Sequence, residues 1–205
     1  MSNVTKQAIK QSFADYWWIY LVVAVLLCSA WLYAFYLKDK IRDNERLQIF
    51  VAGQISDRDL ERRAEEYFAN DGILDINLYV LSPDFKGFEA GFSAQGFLNS
   101  DLLVLPQSLV EKYAAYALAL DGVITLPDDV ETYSTDGKIY AVKVGMVNSE
   151  GYTPLYGFGW IDERDEDMYV LLSPKSQNIG KLNPDGNADD KHALQLLQML
   201  LNNAI

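Results

Sequence analysis

The sequence predicts an α/β fold, a mixed and mainly parallel sheet with flanking helices, joined to one N-terminal transmembrane helix. Two observations carry that expectation. Residues 17–37, WWIYLVVAVLLCSAWLYAFYL, hold no charged side chain. After residue 46, short apolar runs of β-type composition alternate with segments of helical periodicity, the order that builds parallel strands joined by crossover helices.

At about 1.5 Å per residue, the apolar stretch spans roughly 30 Å as a helix, the thickness of a bilayer's hydrocarbon core. A buried core helix would carry a polar stripe, and a cleaved signal peptide would have a shorter apolar run ending in small residues. Trp17, Trp18 and Tyr20 at one end, with Trp31, Tyr33 and Tyr36 toward the other, put aromatic rings near both headgroup levels. Cys28 is the single cysteine, so no disulfide reports the compartment. Leu27 stands before it, where a lipidated cysteine needs a small residue. The expected organisation is a tail over 1–16, a membrane span over 17–37, a polar linker over 38–46 and a domain over 47–205.

Flanking charges alone favour a cytoplasmic domain, because Lys6 and Lys10 face Lys38, Lys40, Arg42 and Arg46 across the span. The chain after Arg46 carries eleven Lys or Arg and twenty-five Asp or Glu, a net of −14. Such a surface repels nucleic acid and anionic lipid headgroups alike, so no nucleic-acid partner is expected.

Within the domain, RLQIFVAG reads as a first strand ending in Gly53. Ser56 is placed to cap a helix, with Asp59 three residues on, and Leu60, Ala64, Tyr67 and Phe68 share one face. Gly72 stops it. DINLYVLS is a second strand, residues 85–97 a glycine-punctuated and partly helical connection, and DLLVLP a strand of the kind buried on both faces. Helix follows over 108–120. The second half changes character: DVETYSTDGKIYAVKV is a hairpin turning at Asp136-Gly137, and LYGFGWIDERDEDMYVLLS reads as two strands joined by the charged turn 162–167. The chain closes with a helix over 191–203, where Leu194, Leu197, Leu200 and Leu201 form an apolar face and Asp189 or Asp190 can cap it.

Catalytic constellations are scarce. His192 is the one histidine, so neither a histidine-dependent triad nor a two-histidine metal site can be assembled. GFSAQG sets a serine among glycines without the Gly-x-Ser-x-Gly spacing of a nucleophile elbow. NPDGNADD alternates oxygen ligands as calcium loops do, but glycine stands fourth rather than sixth and no glutamate closes it, which favours a helix-capping loop. The run DERDED suits a solvated hairpin tip better than a cation site. The expectation is a chain that is not an enzyme and takes no metal or cofactor.

The phrases LQIFVAG, SAQGFLNSDLLVLPQSLVEKYA, TDGKIYAVKV and SPKSQNIGKLNPDGNADDKHALQLLQMLL resemble successive landmarks of the extracytoplasmic solute-binding proteins of ABC transporters, which have the type 2 periplasmic-binding-protein-like fold. The resemblance extends over about residues 47–203. In that family a first lobe is built from the N-terminal strands and helices, the chain crosses to a second lobe near the GK-Y-aV hairpin, and it later returns, often with a Ser-x-Asn phrase before a helix. Scarcely sixty residues follow the hairpin here. The resemblance therefore implies a single lobe, tied to a membrane. FADYWWIYLVVAV is also similar to short anchors of Gram-positive membrane proteins that start inside the cell, which implies a cytoplasmic N terminus and an extracytoplasmic domain.

The resemblance, with the rule that open α/β sheets bind at strand carboxyl ends, places ligand contacts at Gln54, at Asp84, and at Gln107 or Ser108. The same residue types in loops are more often turn and cap residues. Tyr152, Tyr156, Phe158 and Trp160 suit sugar stacking, and better suit sheet packing or a protein interface. One lobe leaves most of a ligand's surface in water. The functional expectation is a noncatalytic accessory or interaction module that engages a transporter or another membrane protein. The alternative is a ligand sensor or receptor that completes its cleft by homodimerising or docking with a partner.

Overall fold

A computed structural model describes residues 3–39, 41–127, 130–162 and 165–203, with side chains in the N-terminal helix described for 16–36. The chain divides into two compact units, Met1–Ile41 and Arg42–Ile205. The first is a helix, α1 (Asn3–Asp39), within which Tyr16–Tyr36 is a run of 21 residues long and apolar enough to cross a membrane. Every side chain of that run is exposed. An exposed helix that is apolar on all sides suits hydrocarbon rather than water.

The second unit is a seven-stranded sheet built from β1 (Arg46–Val51), β2 (Asp75–Val80), β3 (Leu102–Pro106), β4 (Thr132–Thr135), β5 (Lys138–Asn148), β6 (Gly151–Pro154) and β7 (Met168–Leu172). Its order is β2-β1-β3-β7-β5-β4, with β6 also on β5. β1 pairs in parallel with β2 and β3, whereas β3–β7, β7–β5, β5–β4 and β5–β6 are antiparallel. The sheet is mixed, as expected, with its parallel pairing confined to the first half of the chain and its antiparallel pairing filling the second.

Connection length explains the division. Parallel neighbours need a long crossover, which α2 (Asp59–Phe68) supplies between β1 and β2. Between β2 and β3 the crossover is α3 (Phe88–Gly91) running into a π-helical turn over Phe92–Phe97. The β4–β5 and β5–β6 connections, by contrast, are two-residue turns. Asp136 and Gly137 both take positive φ, 50° and 75°, the turn that matches hairpin twist.

Successive side chains of a strand point to opposite faces, so the sheet builds two cores. Leu47, Ile49 and Val51 pack with Leu60, Ala64 and Phe68 of α2 and with Leu196, Leu197 and Leu200 of α5 (His192–Leu201). On the other face, Phe50, Leu103 and Leu105 pack with Phe88, Phe92 and Val110, the last from α4 (Gln107–Tyr113). β3 and β7 are buried throughout.

Several local expectations change in the folded chain. Asp57, not Ser56, accepts the amide of Asp59 at the start of α2, at 2.8 Å. Ser56 turns its hydroxyl toward the carbonyl of Trp160 instead, at 3.4 Å. The helix expected over 108–120 is α4 plus a short 3-10 turn, Ala114–Tyr116, because beyond it the backbone is drawn out to join strands. Leu118 donates to the Leu172 carbonyl and Leu120 to that of Ile139. Residues 155–161 do not form the first of two strands, since β6 has already taken the hairpin position on β5. In α5, Leu194 is only half-buried while Leu196, unremarked in the periodicity, is fully covered. No side chain caps its first turn. Asp190 instead accepts from Asn44 at 3.2 Å.

Candidate functional site

β1 lies between β2 and β3, so the chain leaves the carboxyl ends of β1 and β3 on diverging paths. That is the place where an open α/β sheet leaves a ligand crevice. Here residues 155–162 and 165–167 occupy it. Ile55 and Ile161 form an antiparallel bridge, the Ser56 amide donates to the Trp160 carbonyl at 3.0 Å, and the Asp162 amide donates to the Gln54 carbonyl at 2.9 Å. At the end of β3, the Gln107 amide donates to the Asp167 carbonyl at 2.9 Å. Both strand-end loops are thereby tied to one returning segment.

Glu166 completes the closure. Its carboxylate accepts the Ser108 amide at 2.9 Å and the Ser108 hydroxyl at 3.1 Å. A carboxylate in the first turn of α4 satisfies amides that have no partner within the helix. Gln107 spends its side-chain amide on Glu111, at 3.2 Å. An open recess of about 410 Å³ brings Gln107 and Ser108 together with Glu111, Val147, Glu166 and Asp167. Its side chains are mainly acidic.

A lysine braces the same corner. Lys143, 12% exposed, reaches Asp167 at 2.8 Å and Glu131 at 2.5 Å. Burial works against its charge, but the hydrogen bonds to Asp167 and Glu131 outweigh that cost and lift its pKa above the ordinary lysine value. For Asp167, burial raises the pKa, and the bonds from Lys143 and from the Val147 amide, the latter at 2.7 Å, pull it below the usual carboxylate value. This ion cluster was not singled out from sequence, because its members lie on three separated segments.

The other expected contacts are placed elsewhere. Gln54 and Asp84 are exposed and outside the recess, and the Asp84 amide is held in its own turn by the Ser82 hydroxyl at 3.3 Å. Phe158 and Trp160 are core residues rather than an interface, at 0% and 2% exposure. Their rings pack together at 5.9 Å, and the Trp160 indole donates to the Gly157 carbonyl at 3.1 Å. Tyr152 and Tyr156 remain half-buried. Tyr156 takes a φ of 54°, a left-handed conformation that costs a non-glycine residue about 1–2 kcal/mol. The next residue, Gly157, lies so close to α5 that a Cβ would stand 2.8 Å from the Leu200 carbonyl. The turn is therefore clamped on the helix.

At the opposite end of the parallel strands sits a buried polar knot. Asp101, 6% exposed, accepts the Gln48 amide at 2.7 Å, the Ser176 hydroxyl at 2.5 Å and the Asn178 side-chain amide at 3.1 Å. Asn178 also donates to the Arg46 carbonyl at 2.8 Å, which pins the start of β1. Burial pushes the Asp101 carboxyl up to about 6, against the pull of the bonds from Ser176, Gln48 and Asn178. The Ser-x-Asn phrase in the sequence, Ser176 to Asn178, is thus a structural clasp. A small cavity of about 120 Å³ adjoins it, lined in part by Asp43, Arg46 and Lys175.

His192 packs edge-on against Phe68 at 5.9 Å. Among the described residues, no group of three or more His, Cys, Asp or Glu could hold a metal ion.

No family model matches the chain, and no curated protein matches it. Among solved structures it is similar to the maltose/maltodextrin-binding domain MalE from Bdellovibrio bacteriovorus bound to maltotriose, with 21% identity and a TM-score of 0.34. The match covers 49% of this chain and 28% of that one, so the chain spans little over a quarter of its neighbour's length.

Proposed function

We propose that this chain is a membrane-anchored, noncatalytic interaction module, with its N terminus in the cytoplasm and its acidic α/β domain outside the cell. The observation that carries this reading is the filled crevice. The loops after β1 and β3, two of the three that would contact a solute, are tied to residues 160–162 and to Asp167, and the helix terminus that would meet an anionic group already holds Glu166. A domain built in this way offers surfaces rather than an enclosed solute pocket. The apolar run Tyr16–Tyr36 supplies the anchor. The extracytoplasmic placement rests on the sequence resemblance and on the net acidity of the domain.

The partner-facing surface is the antiparallel corner of β4, β5 and β6, where a transporter or another membrane protein would dock. Val147 is 39% exposed there, Tyr152 is half-buried, and the clamped turn presents Tyr156. Aromatic residues on rigid backbone are favoured at interface centres.

Calorimetric titration of the unit Arg42–Ile205 with sugars, amino acids and short peptides tests the reading. Affinity no tighter than about 1 mM, about 4 kcal/mol, is expected. Submicromolar binding of any of these solutes would replace the interaction module with a receptor.

A further inference from the structure

We propose that the domain carries a binding groove for a single-chain acyl carboxylate, between residues 122–125 and α5. The groove lies outside the filled crevice and outside the β4–β5–β6 corner, so it stands or falls separately from the function proposed above. It has a volume of about 600 Å³, within the roughly 300–1,000 Å³ typical of small-molecule sites. Val123, Ile124, Ile179 and Leu194 give it apolar walls continuous with the main core.

Its charge is the opposite of its surroundings. Lys181 and Lys191 line the groove and no acidic residue does, in a domain whose net charge is −14. The ion pairs among the described residues all use other cations, so neither ammonium group is paired with a described carboxylate. Asp121, next in sequence to the groove, is engaged with the Ile139 amide at 2.8 Å. Both lysines are positioned: Lys181 donates to the Gly186 carbonyl at 3.2 Å, and the stem of Lys191 lies where a Cβ on Gly180 would come within 3.2 Å of it.

The wall is preformed and offers little to a peptide. Gln198 accepts the Thr125 amide at 3.2 Å and donates to the Thr125 carbonyl at 2.8 Å, fixing the segment and using both main-chain groups of Thr125. A peptide laid against the apolar side chains of Val123, Ile124 and Leu194 would need a partner for each amide it buried, since an unpaired one is costly. An acyl chain has no such groups, and its carboxylate meets the lysines.

The test uses the full chain in lipid nanodiscs and a dodecanoate probe with a diazirine in its tail, with crosslinks mapped by mass spectrometry. Labelling is expected within 122–125 and 194–198. Unlabelled dodecanoate should compete at least tenfold better than dodecanol, and the exposed pair Lys181→Glu with Lys191→Glu should cut labelling at least tenfold. Leu194→Trp, checked by circular dichroism for an intact fold, should block the groove. Labelling confined to α1, equal competition by dodecanol, or labelling unchanged in the lysine pair would each overturn the proposal. The lysine pair keeps the test decisive if Leu194→Trp fails to fold.

Discussion

Replacing Asp101 with Asn makes the buried clasp at the start of β1 measurable. The carboxyl titrates at about 6 in the folded domain against an ordinary 3.8, because it is buried among Gln48, Ser176 and Asn178. Between those two values the folded state keeps a proton that the unfolded chain has released. This group's contribution is therefore full below about pH 4 and is lost as the pH rises through 6. At about 1.4 kcal/mol per pKa unit, the loss is about 3 kcal/mol. Asn has nearly the shape of the protonated acid and does not titrate. Urea unfolding of the unit Arg42–Ile205 and its Asp101→Asn variant, at intervals from pH 4 to pH 7.5, isolates the effect, since other acids such as Asp167 cancel in the difference. The stability of the parent relative to the variant should fall by about 2.5 kcal/mol across that range, the first half kcal/mol having gone by pH 4. A difference that stays flat within about 0.5 kcal/mol would refute a raised Asp101. Asp101→Ala is the companion: it leaves three buried donors unanswered, and at about 1–3 kcal/mol each the variant should be severely destabilised.

Three further outcomes follow from the packing. Glu166→Ala removes the carboxylate from the first turn of α4 and should cost about 1 kcal/mol in thermal unfolding, in line with other lost caps. Lys143→Ala leaves Asp167 without its buried counter-charge and should cost about 2–3 kcal/mol, whereas Glu131→Ala, at the exposed end of the same cluster, should cost under about 1 kcal/mol; a reversed order would displace Lys143 from its bracing role. Leu197→Ala in α5, fully buried, should cost about 2–5 kcal/mol by urea unfolding, and a change under about 1 kcal/mol would remove α5 from the core.

Where local composition decides structure, the sequence was readable. The uncharged run of α1, the apolar β1 and β3, and the Asp136-Gly137 hairpin each carry their own signal. The filled crevice does not. It depends on residues 160–162 meeting residues 54–56, about a hundred positions earlier, and no local pattern encodes that meeting. Phe158 and Trp160 alternate with glycine and so read as a strand with outward aromatics. The left-handed Tyr156 and the close approach of Gly157 to Leu200 turn the same residues into a core plug. Among the candidate contacts, Gln107 and Ser108 were placed correctly at a strand end, but their partners, Glu111 and Glu166, decide that they cap and brace. Asp101 heads the apolar phrase DLLVLP, and Ser176 and Asn178 form the Ser-x-Asn phrase, but their meeting across some 75 positions has no local pattern to announce it.

Site-specific photo-crosslinking in native membranes tests the interaction module most directly. A photoreactive residue at Val147 of β5, or at Tyr156 in the turn after β6, should trap one dominant membrane-protein partner, while one at the exposed Glu65 of α2 should not. Equal, diffuse labelling at all three positions, or none at any of them in membranes where the chain is abundant, would contradict a function that works through that surface.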